Sequence, residues 1–120
     1  MIAIMTSNLT LHVHDDRSNA PAAGLRFQLY WVEAAGDVLL RAGSTNARGT
    51  TAGALLDGPK MSAGIYRLVL HAGDYFDNNG GVERRFLDHL PITFVIDDAS
   101  CETGLMVRLS PRGYAVERSA

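Results

Sequence analysis

The residues best suited to chemistry lie near the start of the chain, in Leu9-Thr10-Leu11-His12-Val13-His14-Asp15-Asp16. Leu9, Leu11 and Val13 alternate with Thr10, His12 and His14. Side chains of a strand point alternately to its two faces, so one face is aliphatic and the other carries a hydroxyl and two imidazoles. The aliphatic face belongs in a core. The histidine face must meet water, a partner subunit or a ligand. Imidazole works as a general acid or base, and a nearby carboxylate raises its pKa and fixes its tautomer. The same two histidines could instead form a solvated face or pair with Asp15 or Asp16 in the following turn. Two imidazoles on one strand need at least one more ligand to hold zinc. No third His or Cys is spaced to supply it, so no metal site is expected. His71 and His89 read as surface or loop residues, and Arg84-Arg85 as a solvated loop. Cys101 sits beside a turn with no base named by any motif, and reads as structural rather than nucleophilic.

The elements that must position these groups come from 120 residues, 47% hydrophobic and 20% charged, enough for one domain with a real core. A formal net charge of -2 makes no case for nucleic acid or an anionic membrane as partner. The single cysteine excludes an intrachain disulfide and fits a reducing cytoplasm. The apolar run Met1-Ile2-Ala3-Ile4-Met5 is too short for a signal h-region, and no run reaches membrane-spanning length. Residues 1–7 read as an N-terminal extension and 8–120 as one domain, with a cytoplasmic location expected.

Arg17 to Gly24 is a turn region with Ser18-Asn19-Ala20-Pro21 as breakers. Leu25 to Glu33 alternates Leu25, Phe27, Leu29 and Trp31 with Arg26, Gln28 and Tyr30, a half-buried strand with Trp31 in the core. Val38 to Gly43 is a third strand, Ser44-Thr45-Asn46-Ala47-Arg48-Gly49 a polar loop, and a short fourth strand is expected within Thr50 to Leu56. Gly64 to Ala72 is a strand with Tyr66, Leu68 and Leu70 on one face, and Gly73 to Gly81 holds one or two helical turns. Val82 to Leu87 is a charged loop and Leu90 to Ile96 another strand. Thr103 to Leu109 and Gly113 to Arg118 form the last pair. About eight short strands between Gly/Pro/Asn/Asp turns imply an antiparallel sandwich or barrel. No Gly-rich phosphate motif and no alternating long helices are present.

Three stretches then resemble one family. Leu9-Thr10-Leu11-His12-Val13-His14-Asp15 with Ala20-Pro21-Ala22-Ala23-Gly24-Leu25 is similar to the opening of the transthyretin and 5-hydroxyisourate hydrolase family. Ser44-Thr45-Asn46-Ala47-Arg48-Gly49, Gly64-Ile65-Tyr66-Arg67-Leu68 and Gly73-Asp74-Tyr75-Phe76 resemble its middle, and Leu109-Ser110-Pro111-Arg112-Gly113-Tyr114 its final hairpin. The resemblance implies an all-β, transthyretin-like, eight-stranded antiparallel sandwich with one short helix. It implies a homotetramer built as a dimer of dimers, with a channel between dimers. In the family's enzymes that channel holds the active sites, which open the ring of 5-hydroxyisourate, an oxidised purine from urate breakdown, without metal or cofactor.

Within that family pattern the first-strand histidine matches His12. The arginine that follows Thr-Asn-x-x-Gly falls on Thr50, since the Gly49 register favours it over Arg48. The second histidine falls on Gly104, and the terminal Tyr-Arg-Gly-Ser becomes Glu117-Arg118-Ser119-Ala120. Alternation adds that Leu105, Val107 and Leu109 face the core, with Gly104, Met106 and Arg108 opposite; Tyr114 and Val116 face the core, with Ala115, Glu117 and Ser119 opposite. In the family's fold these non-core faces line the channel, so His12, His14, Arg108 and Glu117 would converge there. The site then reads as rebuilt. A His/Glu pair supplies acid-base chemistry, and Arg108 holds a carboxylate or an oxyanion unless Arg108 and Glu117 are a plain cross-strand ion pair. Thr50, Gly104, Met106, Arg118 and Ser119 shape the pocket, with Gly104 and Thr50 leaving room for a different substrate. The leading expectation is a divergent hydrolase acting on a urate-derived or related heterocycle. The others are a binding protein that uses the channel without turnover, and a scaffold whose channel is inert.

Overall fold

The structure is a computed structural model that describes residues 8–57, 60–82 and 84–119. The expected extension at residues 1–7 lies outside the described residues, as do Gly58, Pro59, Glu83 and Ala120. Eight strands and one helix follow in order: β1 (Leu9–Asp15), β2 (Ala20–Pro21), β3 (Arg26–Glu33), β4 (Gly36–Ser44), β5 (Gly64–His71), α1 (Ala72–Asn78), β6 (His89–Ile96), β7 (Thr103–Ser110) and β8 (Gly113–Ser119).

They form two four-stranded sheets, β2-β1-β7-β8 and β4-β3-β5-β6. The alternation in sequence becomes the core between them. Leu9, Leu11 and Val13 of β1 and Leu105, Val107 and Leu109 of β7 meet Phe27 and Leu29 of β3, Tyr66, Leu68 and Leu70 of β5, and Leu90, Ile92 and Ile96 of β6. Each fully buried leucine stabilises the sandwich by about 1.5–3 kcal/mol relative to an exposed one. Trp31 is only half-buried; it packs edge-to-face on Tyr66 with ring centroids 5.1 Å apart.

Besides Trp31, which was expected in the core, four features depart from the sequence-based expectation. β1 and β7 run parallel, while the other pairs are antiparallel. The stretch Thr50 to Leu56 makes only two isolated bridges, His12 with Thr50 and Leu9 with Leu56. Its carbonyls are engaged elsewhere: the Arg41 guanidinium donates to the Ala52 and Ala54 oxygens, and Gly53 turns the chain at φ +76°. The eighth strand is instead Ala20–Pro21, a two-residue pairing with the end of β1 inside the expected turn. Tyr114, expected in the core, is paired with buried Leu109 but is 48% exposed, because β8 is the sheet edge with no strand beyond it to cover the ring.

The helix is anchored to the β1–β2 turn. Asp15 is buried and accepts from the Tyr75 hydroxyl at 2.7 Å and from the amides of Arg17 and Ser18 at 2.8 and 3.2 Å. Arg17 lies over the Phe76 ring, 4.9 Å from its centroid, and donates to the carbonyls of Asn79 and Gly81 just past the helix.

Candidate functional site

The register of β1, β7 and β8 decides what shares the histidine face. Residues paired across a ladder point to the same side, so three rows form on the outer face of this sheet. Thr10, Gly104 and Ser119 make the first. His12, Met106 and Glu117 make the second, with Thr50 bridged to His12 on the other side. His14, Arg108 and Ala115 make the third. Of the sequence-predicted residues, His12, His14, Arg108, Glu117, Thr50, Gly104, Met106 and Ser119 therefore gather on or beside one face. Arg118 does not: it pairs with Leu105, whose side chain is buried in the core, so it stands on the opposite side at the sheet edge.

Within the face Glu117 has neither of the partners expected for it, while His14 lies against Asp16, one of the pairings the sequence allowed. Strands lie about 4.8 Å apart, so His12 and Glu117, with Met106 between them, are two strand spacings apart and too far for a direct hydrogen bond. Arg108 does not meet Glu117; its register partner is Ala115, and its Nε donates to Asp16 Oδ1 at 3.3 Å. The same Asp16 oxygen lies 3.7 Å from His14 Nε2, and that nitrogen is 3.3 Å from Asn19 Oδ1. Asp16 thus links the second imidazole to the guanidinium. Its place directly after the strand is the only trace of this in sequence. His12 is half-buried and makes no side-chain hydrogen bond or ion pair among the described residues. Among the described residues its imidazole is therefore uncommitted.

Thr50 is held by the turn before it. Asn46 Oδ1 accepts from the amides of Arg48 and Thr50 and from the Thr50 hydroxyl, at 2.9, 3.2 and 3.1 Å. Gly49 closes the turn at φ +74°, with its carbonyl accepting from Val13 N at 2.8 Å. Arg48 sits in the turn, exposed, and Thr50 is the residue bridged to His12. The room expected over Gly104 is taken: a Cβ there would collide with the Ser119 hydroxyl and come within 2.7 Å of the Ser119 carbonyl oxygen.

One shallow cavity of about 300 Å³ opens on this face, lined by Asp16, Arg108, Ser110, Gly113, Tyr114 and Ala115. A larger one, about 600 Å³, lies among Val82, Arg84, Phe86, Pro111 and Arg112. No acid-base side chain lines it among the described residues, and of the sequence-predicted site residues only Arg108 lines the smaller. Cys101 is exposed, and its thiol donates to Asp98 at 3.4 Å; that bond and the carboxylate charge push its pKa up and keep it protonated. His71 and His89, expected as surface or loop residues, are register partners of β5 and β6 with ring centroids 4.3 Å apart. With Asp74 they are the group of metal-ligating side chains found among the described residues.

A small two-sheet sandwich with one helix after its fifth strand, and with its polar side chains gathered on one outer sheet face, is a transthyretin-like domain. The chain belongs to the HIUase/Transthyretin family, whose model matches residues 9–118. A curated relative, 5-hydroxyisourate hydrolase 2 of Rhizobium meliloti, is 38% identical over 117 residues, 96% of this chain and 98% of that protein. Among solved structures, the Klebsiella pneumoniae 5-hydroxyisourate hydrolase superposes with a TM-score of 0.75 at 27% identity, covering 95% of this chain and 94% of that one. An (S)-allantoin synthase superposes with a TM-score of 0.87 at 27% identity over 96% of this chain; the chain spans only 44% of that one.

Proposed function

We propose that the protein is a 5-hydroxyisourate hydrolase-like enzyme that opens the ring of a urate-derived or related heterocycle by imidazole acid-base chemistry. The observation that carries this reading is the placement of His12. It is an uncommitted, half-buried imidazole bridged to Thr50 and in one row with Met106 and Glu117, in a chain 38% identical to a 5-hydroxyisourate hydrolase. In the proposed reaction His12 takes a proton from water as the oxygen attacks a ring carbonyl. The ring C–N bond then breaks, and the proton passes to the departing nitrogen. Arg108, steadied by Asp16, holds the developing oxyanion or a substrate carboxylate. His14, beside Asp16, and Glu117, in the row of His12, flank the reacting ring, and Met106 gives the face an apolar floor. Thr50 contacts the ring beside His12, and Ser119 over Gly104 closes the far end. Arg118, on the other side of the sheet, is outside this arrangement.

The face is open in a single chain, and water must be excluded for such groups to act strongly. A homotetramer in which a second copy covers this face, making an inter-subunit channel, would supply that exclusion. The test is ring opening of freshly generated 5-hydroxyisourate followed by absorbance. Acceleration above spontaneous decay that falls roughly 100-fold or more in His12→Ala, with the circular dichroism spectrum unchanged, is the expected result. Acceleration indifferent to His12→Ala would remove His12 from the mechanism. No acceleration would remove 5-hydroxyisourate as the substrate.

A second reading, a small-molecule binding protein without turnover, is favoured by one observation. Thr50 commits its hydroxyl to Asn46, and Ser119 fills the space over Gly104. Those two positions therefore supply no base or cation. Saturable binding of the same heterocycle without ring opening, weakened in His12→Ala, would select it.

A further inference from the structure

We propose that His71, Asp74 and His89 form a binding site for a divalent transition-metal ion of the zinc type, on the sheet opposite the candidate active face. The site is assembled by topology. β5 and β6 pair antiparallel with His71 directly opposite His89, so both imidazoles leave the same side of the sheet. Helix α1 begins at the next residue, and its first turn swings Asp74 back over the strand end. One ligand atom from each of the three then lies within 4.8 Å of the other two. Ligand atoms around zinc sit about 2.0–2.2 Å from the ion, so small side-chain rotations close the set.

The surroundings orient two of the three ligands. Gln28 Oε1 lies 2.8 Å from His71 Nε2 and accepts its proton, leaving the Nδ1 lone pair facing Asp74 Oδ2 at 3.8 Å. A lone pair facing a carboxylate oxygen is unfavourable with nothing between them and favourable across a cation. Asp74 is held by its other oxygen, Oδ1, which accepts from Arg85 Nη2 at 3.0 Å. Arg85 is spread over Asp74, Asp77 and Asp88, so it does not neutralise Asp74 alone. The His71 side chain is only 11% exposed. Burial, His89 and the Arg26 charge together outweigh the pull of Asp74, and its pKa is lowered. Two imidazoles and one carboxylate, with Gln28 behind His71 and Arg85 behind Asp74, suit zinc, cobalt or nickel rather than magnesium or calcium. With three protein ligands one position stays open for water or an incoming group. A bound ion would tie β5, α1 and β6 together.

Calorimetric titration of the untagged full-length chain with zinc chloride tests this directly. One site per chain is expected, and cobalt(II) in its place should show the visible absorption of four-coordination. His89→Ala removes a ligand from an exposed position, where folding is not at risk, and should weaken zinc binding at least about 10-fold; Gln28→Leu should weaken it about 10–100-fold by freeing the His71 ring. Zinc should raise the melting temperature of the wild type and not of His89→Ala. The double variant His12→Ala/His14→Ala should bind as the wild type does. The proposal is overturned if no saturable zinc binding appears, if His89→Ala binds less than about 10-fold more weakly, or if the His12/His14 double variant loses the site.

Discussion

Asp15 shows how one residue near the histidine face serves the fold rather than the chemistry. It is 2% exposed. Burial pushes its carboxyl up, but the hydrogen bonds from Tyr75 and from the amides of Ser18 and Arg17 outweigh it and hold its pKa below the ordinary value. The same contact pushes the Tyr75 hydroxyl strongly up after burial has already raised it. Because the Asp15 pKa is lower in the folded state, the unfolded chain takes up the proton first. Its contribution is therefore complete above the ordinary carboxylate pKa, about 3.9, and is lost as pH falls through the lower folded value. Tyr75→Phe leaves Asp15 Oδ2 without its donor. It should cost about 1–3 kcal/mol in urea unfolding at neutral pH and move the acid-unfolding midpoint upward. Asp16, the next residue, is different in kind: its ion pairs to His14 and Arg108 are partly exposed and worth at most about 1 kcal/mol. Asp16→Ala should barely change the unfolding midpoint, yet in the ring-opening assay it should raise KM by releasing Arg108.

At the level of elements, the site depends on two close approaches of backbone. Gly49 combines φ +74° with a position where a Cβ would run into the Val13 carbonyl oxygen. Gly49→Ala should destabilise by about 1–3 kcal/mol from backbone strain alone, and more from the clash. It should also displace Thr50 from His12, which a slower ring-opening rate would report. Gly104 is the second. A histidine there cannot simply restore the family's side chain, because Ser119 occupies the space. Gly104→His should push the end of β8 off β7, seen as faster amide exchange at Glu117 to Ser119 and a lower melting temperature. The sequence named every strand but β2: β1 and β5 show the alternation most plainly, burying every second residue along the core face, while β4 was legible from its turns and composition although neither of its faces is buried. Thr50 to Leu56 had the composition of a strand and failed to become one, because Arg41 takes its carbonyls. Nothing local announces that.

For the whole molecule, each sheet ends in exposed edges. β6 and β8 are edge strands carrying Val95 at 63% and Tyr114 at 48% exposure. An edge with apolar side chains is a template for pairing with another chain. Light scattering should give four times the 13.0 kDa chain mass if the proposed tetramer forms, and a single chain mass would leave the histidine face open to water. No helix among the described residues is long and apolar enough to cross a membrane.

The sequence by itself determined the run of short strands, the helical turns after β5 and the face on which His12, His14, Met106 and Arg108 stand, since a period of two with one apolar face leaves a strand a single way to sit; that the strands form a sandwich and not a barrel followed from the family resemblance. Only the tertiary structure decided the partners. Register across β1, β7 and β8 separated His12 from Glu117 and sent Arg108 to Asp16. It turned Arg118 away from the face and drew Ser119 over Gly104. On the other sheet it set His71 against His89. Alternation names the side of a sheet a residue is on. Which residue stands beside it depends on how strands far apart in the chain align, and that alignment is settled by the packing of the whole core.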